Sequence, residues 1–410
     1  MRKSALRNVY MCGFTRTPHG KFMGALKDFS AAELGGIAIK KLLQKYEIPR
    51  EEVNGVFMGE VLTAGEGQAP ARRAAILGGL PESCPAETFN KVCSSSLVAL
   101  HHATNMIRVG EVNLMISGGM ESMSRSPYLL RRVSAKPGDQ NLATLYEEAT
   151  SLRDAESVLA YDSMFYDGLT EPSRMDRPNM AMLSDLCAVD KNIPRDDLDQ
   201  YAYLSCARAS MTDLEDRMAE HIVPITLSDG TELTRDETLR GPELEKMKNM
   251  APLPKCTRVT LAAMSQLADG ASALLIASDD AIRRLHLVPL ARIVDFATFS
   301  HDLEWYTTAP VPAIGRLLLK NELDISDIGF FEVNEASAVV PIYTAKELRI
   351  PRGRLNIWGG SIAIGHPLGA TSARITGTLA VQIQKHALRY GIATTCNGGG
   401  EAVAVLLERV

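Results

Sequence analysis

Aromatic side chains are scarce in this sequence, at 6% of 410 residues, and no apolar run approaches the roughly 18 residues that cross a bilayer. The second shortage excludes a membrane-spanning helix. A basic excess is missing too. Forty-four lysines and arginines face 49 aspartates and glutamates, a net charge of −5, so the electrostatic footprint of a nucleic-acid binder is absent. The seven cysteines, Cys12, Cys84, Cys93, Cys187, Cys206, Cys256 and Cys396, are odd in number and scattered, without a C-x-x-C pair. That pattern excludes a disulfide framework and a thiolate zinc site, leaving single thiols placed by the fold. The opening "MRKSALRNVYMCGF" starts basic but lacks an apolar core and a small-residue cleavage site, which predicts a soluble protein of the cytoplasm.

What is present is a globular composition, 46% hydrophobic and 23% charged, in a chain long enough for two or more core-forming units. Three elements occur twice in the same order. "EVNGVFMGEV" from Glu52 is echoed by "DIGFFEVNEA" from Asp327. A small-residue turn entering a helix follows each, "KVCSSSLVALHHATNMI" and "WGGSIAIGHPLGATSARITGTLAVQI". A strand running into glycines and a glutamate closes each set, "VNLMISGGME" and "GIATTCNGGGE". Agreement in order and spacing reads as a duplication.

Both halves alternate short strands rich in Val, Ile and Met with helix-period segments such as "AAELGGIAIKKLLQKY" and "APVPAIGRLLLKNEL", the signature of βαβ units around a buried sheet. Between them the composition shifts to charge, with Pro172, Pro178, Pro194, Pro242, Pro252 and Pro254 interrupting short helices such as "DDLDQYAYLSCARAS". We read an N-terminal half over 1–285, carrying a loop excursion over about 121–258, and a C-terminal half over 286–410.

Four places combine reactive side chains with tight-turn residues. Cys93 precedes Ser94, Ser95 and Ser96 and then a helix. A thiol there feels the positive end of a helix dipole, which predicts a stabilised thiolate. His366 lies between Gly365 and Pro367. Cys396 precedes Gly398, Gly399 and Gly400, where backbone amides can approach a ligand as an oxyanion hole requires. Asn334 and Glu335 end an apolar strand. Taken singly, each has a plainer reading: a packing cysteine, a turn histidine, a glycine hairpin, a helix cap. His19, His101, His102, His221, His286, His301 and His386 are read as structural.

Together the four are more specific. "NKVCSSSLVAL", "NEASA", "GGSIAIGHPLGATSAR" and "CNGGGEA", with "SGGMESMSRSPY", "RTPHGKFMGAL" and "SQLADGASALLIAS", resemble the thiolases across essentially the whole chain. The resemblance implies an α/β fold of two similar βαβαβαββ halves forming a five-layer αβαβα core with an inserted loop domain. It implies a CoA-dependent acyltransferase that cleaves 3-ketoacyl-CoA to acetyl-CoA and a shortened acyl-CoA, or runs the reverse Claisen condensation. Matched residue by residue, Cys93 is the nucleophile, His366 its base, Cys396 the second acid/base, and Asn334 the holder of a catalytic water. Backbone N–H groups of Cys93 and Gly398 form one oxyanion hole, and His366 contributes to the other. No cofactor is held permanently, coenzyme A is a co-substrate, the partners are acyl-CoA and CoA, and a homodimer or homotetramer is usual.

The chain departs from the family at its substrate-facing segments. Met180 takes the position of a pocket methionine, but Asn179 precedes it and Ala181 replaces the usual glycine. Ser337 stands where a phenylalanine is common. Ser265 is kept for a pantetheine contact, while two neighbouring asparagines are Ala263 and Ala268. Other readings stay open. A β-ketoacyl synthase-like condensing enzyme also places a cysteine before a helix, but uses two histidines. A non-catalytic thiolase-like carrier of acyl-CoA or lipid fits the altered pocket. A Cys–His peptidase leaves Cys396, its glycines and the duplication unexplained.

Overall fold

A computed structural model of the chain describes residues 6–130, 160–170 and 178–410. Of the expected loop excursion, residues 131–159 and 171–177, with Pro172, lie outside the described residues. The strands are β1 (Val9–Arg16), β2 (Gly20–Lys21), β3 (Gly55–Gly59), β4 (Ala86–Phe89) and β5 (Leu114–Ser122). Two short antiparallel pairs follow, β6 (Tyr128–Leu130) with β7 (Ala160–Asp162) and β8 (Ile225–Thr226) with β9 (Glu232–Leu233). The last five are β10 (Ala268–Ser278), β11 (Ala291–Ser300), β12 (Ile328–Val333), β13 (Tyr390–Asn397) and β14 (Glu401–Glu408).

The large sheet runs β12-β13-β14-β11-β1-β10-β5-β3-β4, with β2 added on β10. At the β11–β1 junction only Tyr10–Arg292 and Met11–Ala291 are paired; this seam divides the strands into a first sheet (β1, β10, β5, β3, β4) and a second (β11, β14, β13, β12), and each follows the same connection rule. β3 pairs in parallel with β4 and β5, and β10 returns antiparallel between β5 and β1. On the other side β12 pairs in parallel with β13, and β14 returns antiparallel between β13 and β11. The counterpart of β4 is reduced to one parallel bridge, Phe331 to Leu355. The echoed segments of the sequence occupy equivalent places, so the internal repeat is a structural one.

Burial explains why these stretches carry so few charges. Every residue of β5 and β10 is buried, as expected of sheets covered on both faces. The helix α3 (Ser95–Arg108) and its counterpart Thr371–Lys385 share one core, Leu97, Leu100 and Ala103 meeting Ala373, Leu379 and Ala380 between the two sheets. Close approach is required: Ser96 Oγ accepts the Ala373 amide across the seam at 2.9 Å, and a Cβ on Gly59 would collide with the backbone of Ser95 and Ser96. Outside, α1 (Ala31–Lys45) and α2 (Pro70–Leu77) cover the first sheet, and the helix Pro310–Lys320 with Val340 of the helix Val339–Leu348 covers the second. Five layers, αβαβα, result. The start of α1 is set by a capping box, Ser30 with Glu33.

One buried acid sits badly in this core. Glu60 is fully buried and neither carboxyl oxygen has a hydrogen-bond partner among the described residues. Burial, helped by the neighbouring Glu121, pushes its pKa up from 4.5 to about 9. The unfolded chain ionises this group near 4.5 while the fold holds it neutral. The contribution is therefore intact below that pH and lost as pH rises toward 9. The cost grows by about 1.4 kcal/mol per pH unit, on the order of 4 kcal/mol near pH 7.5. Glu60→Gln is expected to melt at a higher temperature than the parent at pH 8, with the difference shrinking toward zero near pH 5. A difference independent of pH would contradict this account.

Candidate active site

Cys93 is placed by a strained turn between β4 and α3. Val92, just before it, has φ 49°, a left-handed conformation that costs a β-branched residue free energy and persists only where the surroundings impose it. Ser95 supplies that constraint: its Oγ donates to the Val92 carbonyl at 2.6 Å and accepts the Lys91 amide at 2.9 Å. The turn is tied to the other half as well. Ser372 Oγ donates to the Cys93 carbonyl at 2.7 Å, and Ser94 Oγ donates to the Thr395 carbonyl at 2.9 Å. The serines after Cys93 are therefore the stitching between halves.

The expected thiolate is not what this environment favours. The helix begins at Ser95, and Ser94 makes no side-chain cap. Cys93 is buried, and desolvation pushes its thiol up to about 12, with the charge of Glu121 adding to the shift and the residue's own N–H opposing it. Dipole stabilisation falls off within the first turn, so desolvation wins. Cys93 rests as a neutral thiol.

His366 sits in the glycine-proline loop, and the hydrogen bonds fix its tautomer. Thr371 Oγ1 donates to the Pro367 carbonyl at 2.8 Å, so it can only accept from His366 Nδ1 at 2.7 Å. The proton is therefore on Nδ1 and Nε2 carries the lone pair. Asn334 Nδ2 lies 3.3 Å from that Nε2. Its amide is oriented by Ser361, whose Oγ donates to Asn334 Oδ1 at 2.7 Å and accepts from the Arg374 guanidinium at 2.9 Å. Burial pushes His366 down to about 3, with Arg374 and His19 adding to the effect. The imidazole is neutral at ordinary pH, as a base must be before it takes a proton.

Cys396 ends β13 and is buried; desolvation raises its thiol well above the ordinary value, and Cys93 is near enough to raise it further. The glycines after it form the β13–β14 turn. Gly400, at φ 74°, packs against the backbone of His301 and Asp302, so that glycine serves the turn itself. Gly398 differs: a Cβ there would sit 3.5 Å from Met180 Sδ and 3.9 Å from Val92 Cγ1. The structure thus brings Met180 and Gly398 beside the turn that carries Cys93. Asn179 caps the helix Met180–Asp190 by accepting the Met182 amide at 3.0 Å.

Ser337 lies in a buried cluster of hydroxyls. Ser184 Oγ donates to Ser337 Oγ at 2.9 Å and lies 2.6 Å from the Tyr306 hydroxyl, which itself donates to the Met180 carbonyl at 3.1 Å. Ser265 Oγ donates to the Ala336 carbonyl at 3.2 Å, next to the Asn334 segment. Glu335 is fully engaged in support: it accepts from Tyr201, Asn356, Ser205 and the Ile362 amide. Glu121 does the same for the loops, accepting the amides of Val61, Leu62 and Gly369.

Sequence reasoning left out Thr371, Ser361, Arg374, Ser184 and Tyr306. Three of these lie inside "GGSIAIGHPLGATSAR" and were visible as polar residues in a motif dominated by glycine and alanine. Ser184 and Tyr306 carry no local signal. Among the described residues no group of His, Cys, Asp and Glu could hold a metal ion, and no helix is long and apolar enough to cross a membrane.

Comparison with known proteins addresses the family and the fold. Residues 9–280 match the family description "Thiolase, N-terminal domain" and residues 287–409 match "Thiolase, C-terminal domain". The chain is 36% identical to the mitochondrial acetyl-CoA acetyltransferase of Homo sapiens, over all of this chain and 92% of that protein. It is 37% identical to an acetyl-CoA acetyltransferase of Yarrowia lipolytica, over 99% of this chain and 97% of the other. A cytosolic acetyl-CoA acetyltransferase of Gibberella zeae is 34% identical over 98% of each. Among solved structures, human mitochondrial 3-ketoacyl-CoA thiolase superposes with a TM-score of 0.90 at 31% identity, covering 99% of this chain and all of that one. The same enzyme in complex with CoA superposes at 0.89, covering 98% of each chain. With both family domains matched and relatives similar over at least 92% of their length, this chain is a member of the thiolase family.

Proposed function

We propose that the chain catalyses CoA-dependent cleavage of 3-ketoacyl-CoA to acetyl-CoA and a shortened acyl-CoA, or the reverse condensation, through an acyl thioester on Cys93. The observation that carries this reading is that one fold holds a neutral buried thiol, Cys93, and a neutral imidazole, His366, whose Nδ1 is fixed by Thr371 and whose Nε2 lone pair is turned to the Asn334 amide. A second thiol, Cys396, lies near enough to interact with the first.

The steps balance on these groups. Cys93 Sγ attacks the 3-keto carbon as its proton passes to His366 Nε2. The C2–C3 bond breaks, leaving the acyl group on Cys93 and an enolate whose oxygen is held by His366 Nε2–H and by a water on the Asn334 amide. Cys396 gives its proton to C2, releasing acetyl-CoA. Coenzyme A then enters, gives its thiol proton to Cys396, and attacks the thioester. Backbone N–H groups of Cys93 and Gly398 hold that oxyanion. Cys93 leaves as thiolate and recovers its proton from His366. Sulfur suits both roles, as nucleophile and as leaving group.

Met180, Ser337 and Ser265 are proposed as substrate contacts. The hydroxyls of Ser337, Ser184 and Tyr306 give the region beside Met180 a polar character, which favours a short acyl group over a long alkyl chain. Short-chain use also fits the names of the acetyl-CoA acetyltransferase relatives. The seven cysteines are all free, which fits a reducing compartment; a cytoplasmic site of action is part of the proposal. So is assembly into a homodimer or homotetramer, for which the unpaired outer edge of β4 beside the Cys93 turn is available. The division into halves at 285/286 belongs to the same reading.

Thiolysis of acetoacetyl-CoA and of longer 3-ketoacyl-CoAs, followed with and without coenzyme A, tests this. Turnover is expected to be fastest with acetoacetyl-CoA. No CoA-dependent loss of substrate at any chain length would end the enzyme reading, and a preference for long chains would end the argument from the hydroxyl cluster.

A further inference from the structure

Away from the catalytic thiols, a cavity of about 280 Å³ opens between the helix Thr371–Lys385 and the segment 209–239. Cys93, Asn334, His366 and Cys396 do not line it. Three of its lining side chains, Arg374, Trp358 and Thr212, are each more than nine-tenths buried. On all three a hydrogen-bonding atom, Arg374 Nε, Trp358 Nε1 and Thr212 Oγ1, has no partner among the described residues. Unmade hydrogen bonds of this kind are costly, most of all on a charged group.

The charges around the cavity are unevenly spent. Arg16 is held bidentate by Asp236 at 2.6 and 2.7 Å, and Arg235 by Asp213 and Asp216. Arg374 makes no ion pair among the described residues; its terminal nitrogen donates to the Ser361 hydroxyl. Of the carboxyls that act on it, Glu332, Glu335 and Asp236, the strongest is Glu332, and burial pushes that one up to about 8, so it is mostly protonated at neutral pH. Two further cations lie over the Trp358 ring, Lys385 at 5.8 Å and Arg217 at 6.0 Å from its centroid, the latter paired with Glu215. The inner end of the cavity is therefore rich in donors, while the lining carboxylates Asp213, Asp216 and Asp236 are held by Arg235 and Arg16. That combination rejects a cation, and it leaves three donors unsatisfied by an apolar ligand. It suits oxygen atoms carrying negative charge, for which guanidinium and indole N–H groups are good donors.

We propose that this cavity is a binding site for a small oxyanion, held by Arg374, Trp358 and Thr212. It has a route to the chemistry. Arg374 donates to Ser361, Ser361 donates to Asn334 Oδ1, and Asn334 Nδ2 faces His366 Nε2. An oxyanion on Arg374 Nε draws the guanidinium toward the cavity and alters its hold on Ser361, and so the orientation of the Asn334 amide. This second part rests on the thiolase reading; the binding itself does not.

The test is titration of the full chain with inorganic phosphate, by calorimetry and by thermal melting, against chloride at matched ionic strength. Saturable binding and a rise in melting temperature are expected with phosphate alone. Trp358→Phe keeps the ring and removes the N–H, and Thr212→Val removes the hydroxyl. Each is expected to weaken phosphate binding about tenfold or more, while leaving phosphate-free thiolysis unchanged. Equal response to phosphate and chloride overturns the proposal, as does phosphate binding unaffected by either substitution. Acetate competing as well as sulfate supports a general oxyanion site. Ser361→Ala is expected to bind phosphate while losing any effect of phosphate on kcat; an effect that persists in that variant overturns the proposed route. Absence of thiolysis altogether would leave the binding measurement standing and fall on the enzyme reading instead.

Discussion

Thiolysis of acetoacetyl-CoA by Cys93→Ala is expected to fall by roughly 10⁴-fold or more in kcat, the scale on which loss of a covalent nucleophile is felt. The nearby thiol offers no substitute. Cys396 ends a strand of the second half, its thiol is raised well above the ordinary range, and the one oriented imidazole is tied to Asn334 and Thr371. Cys93→Ser should fare almost as badly. A hydroxyl is a much weaker acid than a thiol, and an imidazole pushed down to about 3 is a poor base for it. Mass spectrometry of the parent mixed with acetoacetyl-CoA, without free coenzyme A, should find an acetyl group on the peptide carrying Cys93 and on no other. Either variant retaining activity within tenfold of the parent, with its circular dichroism unchanged, would remove Cys93 from the role of acyl carrier.

What could be read ahead of the structure follows from how local each signal is. The repeat was legible because a strand buried on both faces must be written in small and apolar residues, and β3, β5, β12 and β13 each are. The groups around the candidate site were legible because they sit in turns punctuated by glycine and proline, where a reactive side chain stands out. The protonation state of Cys93 was not. A cysteine ahead of a helix reads as a thiolate, and the desolvation that reverses this comes partly from the other half of the chain, nearly 280 positions away, where Ser372 bonds its carbonyl. Ser337 gave the same difficulty. Its meaning depends on Ser184 and Tyr306, which the fold delivers from 153 and 31 positions away. The chain from Arg374 through Ser361 to Asn334 joins two loops and a helix, and no spacing rule anticipates it.

The sharpest consequence of the neutral resting pair concerns pH. With His366 pushed down to about 3 and Cys93 up to about 12, neither group titrates between about pH 6 and 9, so neither gives kcat of the parent a full-unit slope there; the group acting on Cys93 that titrates inside that window is Glu121, raised to about 7. In the proposed mechanism the proton leaves sulfur only as sulfur attacks, passing to Nε2. In His366→Ala the thiol must ionise unaided. Its thiolate fraction then rises tenfold with each pH unit as long as the pH stays well below about 12. The variant is expected to be at least about 10³-fold slower than the parent near pH 7.5, since it loses both a base and an oxyanion donor. Its log kcat should climb with a slope near 1 up to about pH 9.5, narrowing the gap by roughly a hundredfold over two units. The sign follows from the direction of the Cys93 shift: a thiol lowered into the neutral range by the helix would already be ionised, and the variant would be flat. A flat profile for His366→Ala would return Cys93 to the thiolate that its sequence context suggests, and a slope near 1 in the parent would deny His366 the part of base.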